Sequence, residues 1–377
     1  MTVNEVRNLF PHLNTERIYF NHAAIGPLSI LVKDRLDSYI QQRHIDPIEN
    51  YQLLLDINSS AKKLLAKLLN AKKNCLSWVE NVSAGINILA QGLPWEAGDR
   101  IILNDLEFPS NVYPFMNLKS EGVEIDFAKS ANGKVDVDDY EKLITPKTKL
   151  ISISLVQFLT GYRADIKALG ELCKRHNIIF CVDAIQAAGV VEIDVEDCNI
   201  DFLAGGSQKW LMSLQGLSYI YVKDELLERI NQKYVGWLSV DDDWNLLNYD
   251  LTLKSHASRF QLGTTNSIGI AAFEASLQLF HQFGMPNVEK RNLENTTYFL
   301  EKLSENGYNC VLKNVEKSNL AGITSIKIDN ADKVFAELQN RKVSIAVREG
   351  ILRFAPHYYN TTDEIDNVIE ILNSITK

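Results

Sequence analysis

At 377 residues, 46% of them hydrophobic and 23% charged, the chain has room for a large core and the composition of an ordinary globular enzyme, with two domains expected. A net charge of −9, a pI near 5.4 and the lack of any basic run argue against a nucleic-acid surface. No apolar run approaches a membrane span and MTVNEVRNLF has no secretory pattern. The five scattered cysteines (Cys75, Cys173, Cys181, Cys198 and Cys310) form no CxxC, so a reduced, cytoplasmic protein without a metal site is expected.

Residues 1–28 read as an irregular arm carrying Tyr19-Phe20-Asn21-His22-Ala23-Ala24-Ile25-Gly26-Pro27, where Gly and Pro mark a turn. Helical patterns follow over roughly 29–45 and 52–69. From Leu76 the chain alternates strand and helix. Leu76 to Val79 is a strand, and Ser83 is the expected N-cap of the helix after it, whose free amides suit an anion. Arg100 to Asn104, Val123 to Phe127 and Leu150 to Leu155 are further strands. The amphipathic segment Ala164 to His176 leads into the apolar run Ile178 to Val182, which ends at Asp183. Phe202 to Ala204 and Gly216 to Val222 follow as strands. This alternation predicts an α/β fold with a mainly parallel sheet covered on both faces by helices. Ligands of such sheets bind beyond the carboxyl ends of the strands, where Ser83, Phe108, Gln157 and Asp183 all fall.

A helical stretch over about 267–306 connects to a small α+β unit. Its expected strands are Gly322 to Ile328, Val343 to Val347 and Ile351 to Ala355, with a helix from Ala331 to Gln339. Thr361-Thr362-Asp363-Glu364 is a capping-box pattern, and Ile365, Val368, Ile369 and Leu372 make the buried face of the final helix. The expected division is an arm over 1–28, a large domain over 29–265, and a connecting helix with a small domain over 266–377.

The most informative stretch is VDAIQAAG, from Val182, followed by GGSQKW, from Gly205. An acid ends one strand, and Lys209 sits just past the next, behind two glycines and a serine. Pyridoxal phosphate chemistry wants this pair. The lysine carries the cofactor as a Schiff base, and the carboxylate keeps the pyridine nitrogen protonated so that the ring accepts electrons. With these motifs the chain resembles the class V aminotransferases of pyridoxal phosphate fold type I. That group includes cysteine desulfurases, isopenicillin N epimerase, kynureninase and several transaminases. The resemblance extends over nearly the whole chain.

The resemblance implies roles for individual residues. Lys209 and Asp183 are catalytic. Ser83, Ala84, Ser207 and Thr264 would hold phosphate, and Gln157 and Gln186 would approach the ring oxygen or substrate. Phe108 would cover the ring, where desulfurases carry a histidine. The arm with His22 and Ala23 would line the substrate side. Arg353 would clamp a substrate carboxylate, supported by Arg348. The segment Arg259-Phe260-Gln261-Leu262-Gly263-Thr264 is similar to one that reaches the neighbouring subunit's phosphate, which implies a homodimer with shared sites.

The chain departs from the desulfurases in three places: Phe108, Gln208 where they have a histidine before the lysine, and a short Arg348–Arg353 spacing without a cysteine-bearing loop. The expected reaction is therefore transamination at the α-carbon of an amino acid or related amine. Isopenicillin N epimerase-like racemisation is the alternative, with His22 as the second base. Lyase or desulfurase chemistry ranks below it. A cofactor-binding carrier or regulator without turnover is the non-enzyme reading, and the set of Lys209, Asp183 and Arg353 speaks against it.

Overall fold

The computed structural model describes Met1–Lys377 in full. Its central sheet has seven strands, in the order Leu76–Val79, Ser218–Val222, Phe202–Gly206, Ile179–Asp183, Thr148–Ser154, Arg100–Asn104 and Glu124–Ala128. All of these neighbours pair in parallel except at Ser218–Val222, which runs antiparallel to both its neighbours. The reason lies in the connection. Parallel strands need a crossover, usually a helix, whereas the chain from Ser207 to Leu217 forms only a loop. Lys209 sits on that loop.

Alternation along the strands sends side chains to both faces. Ile151, Ile153, Phe180, Val182 and Leu203 join one core with the helices Tyr51–Leu69, Ile166–His176 and Ser267–Phe283. Leu150, Ile179, Cys181, Phe202 and Ala204 join the other with the helix Val82–Gly92. Every residue of the two strands Ile179–Asp183 and Phe202–Gly206 is buried, so their apolar runs need no polar alternation. The strand ends at Val79, Asn104, Ser154, Asp183 and Gly206 lie along one edge of this sheet, and the site forms beyond that edge.

A second sheet, Ala346–Arg348, Ile351–Phe354, Thr324–Lys327 and Asn309–Cys310, is antiparallel. It packs with Ala331–Asn340 and Thr362–Thr376 around a core of its own that includes Leu352, Phe354, Ile365 and Leu372. The capping box expected at Thr361 is present: Thr361 Oγ1 accepts from the Glu364 amide, and Glu364 Oε2 accepts from the Thr361 amide. The expected strand Val343 to Val347 is interrupted at Ile345. Val343–Ser344 leaves the small sheet and pairs with Ile18–Tyr19.

That pairing corrects the reading of the arm. It is not irregular throughout: Thr2 and Glu5 form a capping box on a short helix, Val3–Arg7, and Phe20 belongs to the core of the small unit. The expected helix over 267–306 is two helices, Ser267–Phe283 and Met285–Glu305, broken at Gly284, which takes a positive φ of 90°. No helix is long and apolar enough to cross a membrane.

Candidate active site

Asp183 and Lys209 come together at the sheet edge. Asp183 is the last residue of its strand and pairs with Ala204 on the neighbouring one, from which the chain turns into the Lys209 loop. Its carboxylate is buried. One oxygen accepts from the Ile185 amide at 2.9 Å and the other has no hydrogen-bond partner. Burial pushes the Asp183 carboxyl up to about 7; the nearby Glu107 charge adds to the rise, and Lys209 and the Ile185 amide oppose it. Burial pulls the Lys209 amine down to about 8, with Asp183 acting upward and Arg353 and Arg348 further downward. Lys209 Nζ lies 5.9 Å from the centroid of the Phe108 ring. A lysine so depressed supplies neutral, nucleophilic amine near neutral pH.

Phe108 keeps 43% of its surface exposed, unusual for a large apolar side chain just past a core strand. Phe158 braces it edge-on at 5.2 Å. Beside it in the chain is a residue the sequence reading did not single out. Glu107 is buried, and its carboxylate accepts five hydrogen bonds: from Asn104 Nδ2 (2.6 Å), Asn111 Nδ2 (2.9 Å), Ser154 amide (2.7 Å), Ser154 Oγ (2.5 Å) and Gln157 Nε2 (3.0 Å). A carboxylate only accepts, so Glu107 fixes the amide orientation of Gln157 and leaves Gln157 Oε1 buried without a partner. The signal for Glu107 was an acid just after a strand's carboxyl end, flanked by Asn104 and Asn111.

Several expected site residues have other work. His22 is fully buried, with Nδ1 on the Ala355 carbonyl at 2.8 Å and Nε2 on the Tyr359 hydroxyl at 2.6 Å. Burial holds its pKa well below the usual histidine value. Both ring nitrogens are committed, which removes His22 as a second base and as a substrate contact. Gln186 is partly engaged: its Nε2 donates to the Ala23 carbonyl at 3.0 Å and its Oε1 accepts from Trp210 Nε1 at 2.7 Å. Gln186 and Ala23 therefore clasp the arm to the residue after Lys209, and one of the two N–H groups of the Gln186 amide stays free for a ring oxygen. Gly26 completes the clasp; its amide donates to the Gln208 carbonyl, and a Cβ there would lie 2.2 Å from the Lys209 carbonyl.

The expected phosphate contacts divide too. Asn81, not Ser83, caps the helix Val82–Gly92, and its side chain already takes the Ala84 amide at 2.8 Å. Ser83 donates from Oγ to Ser110 Oγ at 2.9 Å, and the first-turn amides of Val82 and Ser83 have no intrahelical partner. Ser207 Oγ is turned to the carbonyls of Leu214 and Leu217, both at 2.7 Å, so its hydroxyl proton secures the lysine loop and is not free for an anion. Thr264 is exposed and shares with Ala84 a cavity of about 510 Å³ that neither Lys209 nor Asp183 lines.

On the small unit, Arg353 is 2% exposed. Its Nη1 donates to the Phe158 carbonyl at 2.7 Å, and its Nε is buried without a partner. Burial, then Arg348, lowers its pKa to about 10. Arg348 is exposed and donates only to the Val347 carbonyl. Between the two strands that carry these arginines lie just Glu349 and Gly350, at φ of 50° and 71°. Positive φ at both central residues marks a tight two-residue hairpin turn.

The chain matches the family model Aminotransferase class-V over residues 32–368. It belongs to the class V aminotransferase family. An uncharacterised aminotransferase of Bacillus subtilis, YcbU, is 27% identical, over 97% of this chain and 96% of that protein. A probable cysteine desulfurase of Methanothermobacter thermautotrophicus is 25% identical, over 100% of this chain and 98% of that protein. Among solved structures, the apo cysteine desulfurase of Thermococcus onnurineus NA1 superposes with a TM-score of 0.90 at 23% identity, covering 99% of this chain and 98% of that one. A C-DES mutant with glycine covalently linked to its pyridoxal phosphate cofactor gives 0.89 at 22% identity, covering 98% and 99%. These superpositions identify the fold as that of fold type I.

In this class V chain the open polar atoms fit pyridoxal phosphate. The Lys209 amine has no hydrogen-bond partner and one Asp183 oxygen is free; Phe108 offers an aromatic face close to that amine. The unpartnered first-turn amides of Val82–Gly92 suit an anion, and the half-bonded guanidinium of Arg353 suits a carboxylate.

Proposed function

We propose that this class V chain is a pyridoxal phosphate enzyme that transaminates an amino acid or related amine. The observation that carries the reading is the closeness of Lys209 to Asp183 and Phe108, with the ring nitrogens of His22 engaged elsewhere. When bound, the cofactor supplies an electron sink for the charge left on a deprotonated α-carbon. Lys209 would carry it and, once released, move the α-proton. Asp183, through its free oxygen, would hold a proton at the ring nitrogen. Phe108 would stack on the ring and keep water from that side, and Gln157 would meet it at its edge. The backbone amides of Val82 and Ser83, at the start of the helix Val82–Gly92, would hold the phosphate. Arg353 would orient the substrate by its carboxylate.

Transamination needs one mobile base, and Lys209 is that base. Two-base epimerisation needs another on the opposite face; Phe108 offers none, and the nitrogens of His22 are committed. The desulfurase activity named for several relatives is disfavoured here by the two-residue turn at Glu349-Gly350, which leaves no loop for a mobile cysteine. All five cysteines are buried, and burial raises the pKa of every thiol, which suppresses the reactive thiolate. Free, buried thiols also suit a cytoplasmic home.

The test is a panel of amino acids mixed with the loaded protein, with cofactor absorbance followed. A substrate should convert the cofactor to its amine form, and a keto acid should restore it. Exchange of the α-hydrogen with solvent deuterium, with inversion and no amine form, would establish epimerisation instead; no response to any amine would favour a carrier. We also propose a homodimer in which Thr264 serves the partner's phosphate. Mixing Lys209→Ala and Thr264→Ala chains should restore part of the activity, because one hybrid site is then intact. Proven heterodimers without recovery would count against sharing.

A further inference from the structure

The hairpin bearing the two arginines has two distinct faces. Val347 and Leu352 lie opposite each other and pack, with Phe354, on the core of the small unit. Strand alternation puts Ala346, Arg348, Ile351 and Arg353 on the other face. That face looks toward the large unit: Arg353 donates to the Phe158 carbonyl, and Ser325, opposite Arg353 on the next strand, donates to the Leu159 carbonyl at 2.7 Å. Arg353 pairs with Ala346, two residues before Arg348, so the two arginines are diagonal neighbours on one surface.

Neither guanidinium is neutralised. Arg348 donates only to the carbonyl of Val347, and Arg353 only to that of Phe158. Glu349, next to Arg348 in the chain, pairs with neither. Both charges act on Lys209, and Arg348 acts on Arg353. Lys327, facing Ile351 from the adjoining strand, forms no ion pair and extends the positive edge. Like charges on one face that form no ion pair repel one another, and a bound anion relieves that repulsion. One carboxylate fills the fork of one guanidinium. Arg353, buried and part-bonded, takes the α-carboxylate under the function proposed above; Arg348, exposed at the hairpin end, then remains for another group.

We propose that Arg348 is a specificity-determining residue that binds a second carboxylate, so that the substrates are a dicarboxylic amino acid and the keto acid related to it. The inference rests on the transaminase reading for the nature of the substrate. The preference for two carboxylates rests on the hairpin alone.

The test is calorimetric titration of the purified full-length protein with glutarate and, separately, butyrate, neither of which reacts. Glutarate should bind at least about tenfold more tightly, the effect of one charge-assisted pair. Arg348→Gln should remove that advantage, and Arg348→Lys should keep part of it. Arg348 is exposed, so neither variant threatens the fold. Equal binding of the two acids, or equal weakening of both by Arg348→Gln, would overturn the proposal and leave Arg348 as a second clamp on a single carboxylate. A protein that prefers glutarate yet converts no amino acid would overturn transamination and keep the two-carboxylate site. One that transaminates without discriminating would do the reverse.

Discussion

Glu107 and Asp183 are both buried acids at carboxyl ends of parallel strands in the same sheet, and they are provided for in opposite ways. Glu107 receives five donors and Asp183 receives one. Burying a carboxylate is tolerable when its lone pairs are filled and costly when they are not. Glu107 is thus a fixed anchor for the strand ends, whereas Asp183 keeps one oxygen open to a bound group. The same division runs through the neighbourhood. His22 and Ser207 have their polar atoms engaged and, with the part-engaged Gln186, hold the arm and the lysine loop in place. Lys209, Arg353 and the oxygen of Gln157 are left open.

Changing residues on either side of this division should produce different kinds of damage. Asp183→Asn should lower turnover by about 10³-fold with little loss of folding stability, because it removes charge where charge is needed in the reaction. Glu107→Ala should cost stability, about 3 kcal/mol, because it strands several buried donors; a lowered melting temperature of the cofactor-free protein would register it. Equal stability losses in the two variants would erase the distinction. His22→Phe should cost about 1–3 kcal/mol through the stranded Tyr359 hydroxyl and leave the shape of the pH–rate profile unchanged. A profile that loses a limb in this variant would return His22 to the chemistry.

Per pH unit, a gentler effect is a pH dependence. The Asp183 carboxyl titrates near 7 when folded, against 3.8 as its ordinary value. A carboxyl raised on folding contributes stability that is complete below its unfolded pKa and lost as pH rises through the folded one. Between about pH 4 and 7 the cofactor-free protein should therefore lose stability from this group as pH rises, by up to about 1.4 kcal/mol per pH unit. Asp183→Asn should flatten that slope relative to the parent. An unchanged slope would mean that Asp183 is ionised throughout.

Much of this was legible in the residues. The fully buried strands Ile179–Asp183 and Phe202–Gly206 are short, largely apolar runs, and the acid ending one and the lysine following the next point to the cofactor pair. The capping box at Thr361 could be read because both its partners lie within one turn. What could not be read depended on distant partners or on the path of a loop. The bonds from Gln186 to Trp210 and Ala23, which orient its amide, exist only in three dimensions. His22 is satisfied by Tyr359 and Ala355 from the far end of the chain. The antiparallel run of Ser218–Val222 follows from how the Lys209 loop doubles back, and its residues look the same in either direction. Ser83 was the expected cap, but the helix starts earlier than the pattern suggests, at Val82, and Asn81 caps it.

The central claim is that Lys209 is the residue that carries the cofactor, opposite Asp183. Borohydride reduction of the protein loaded with pyridoxal phosphate, followed by peptide mapping, tests it most directly. The account predicts a stable, fluorescent label on the peptide containing Lys209, absent from Lys209→Ala. A label on any other lysine, or none on fully loaded protein, would contradict it.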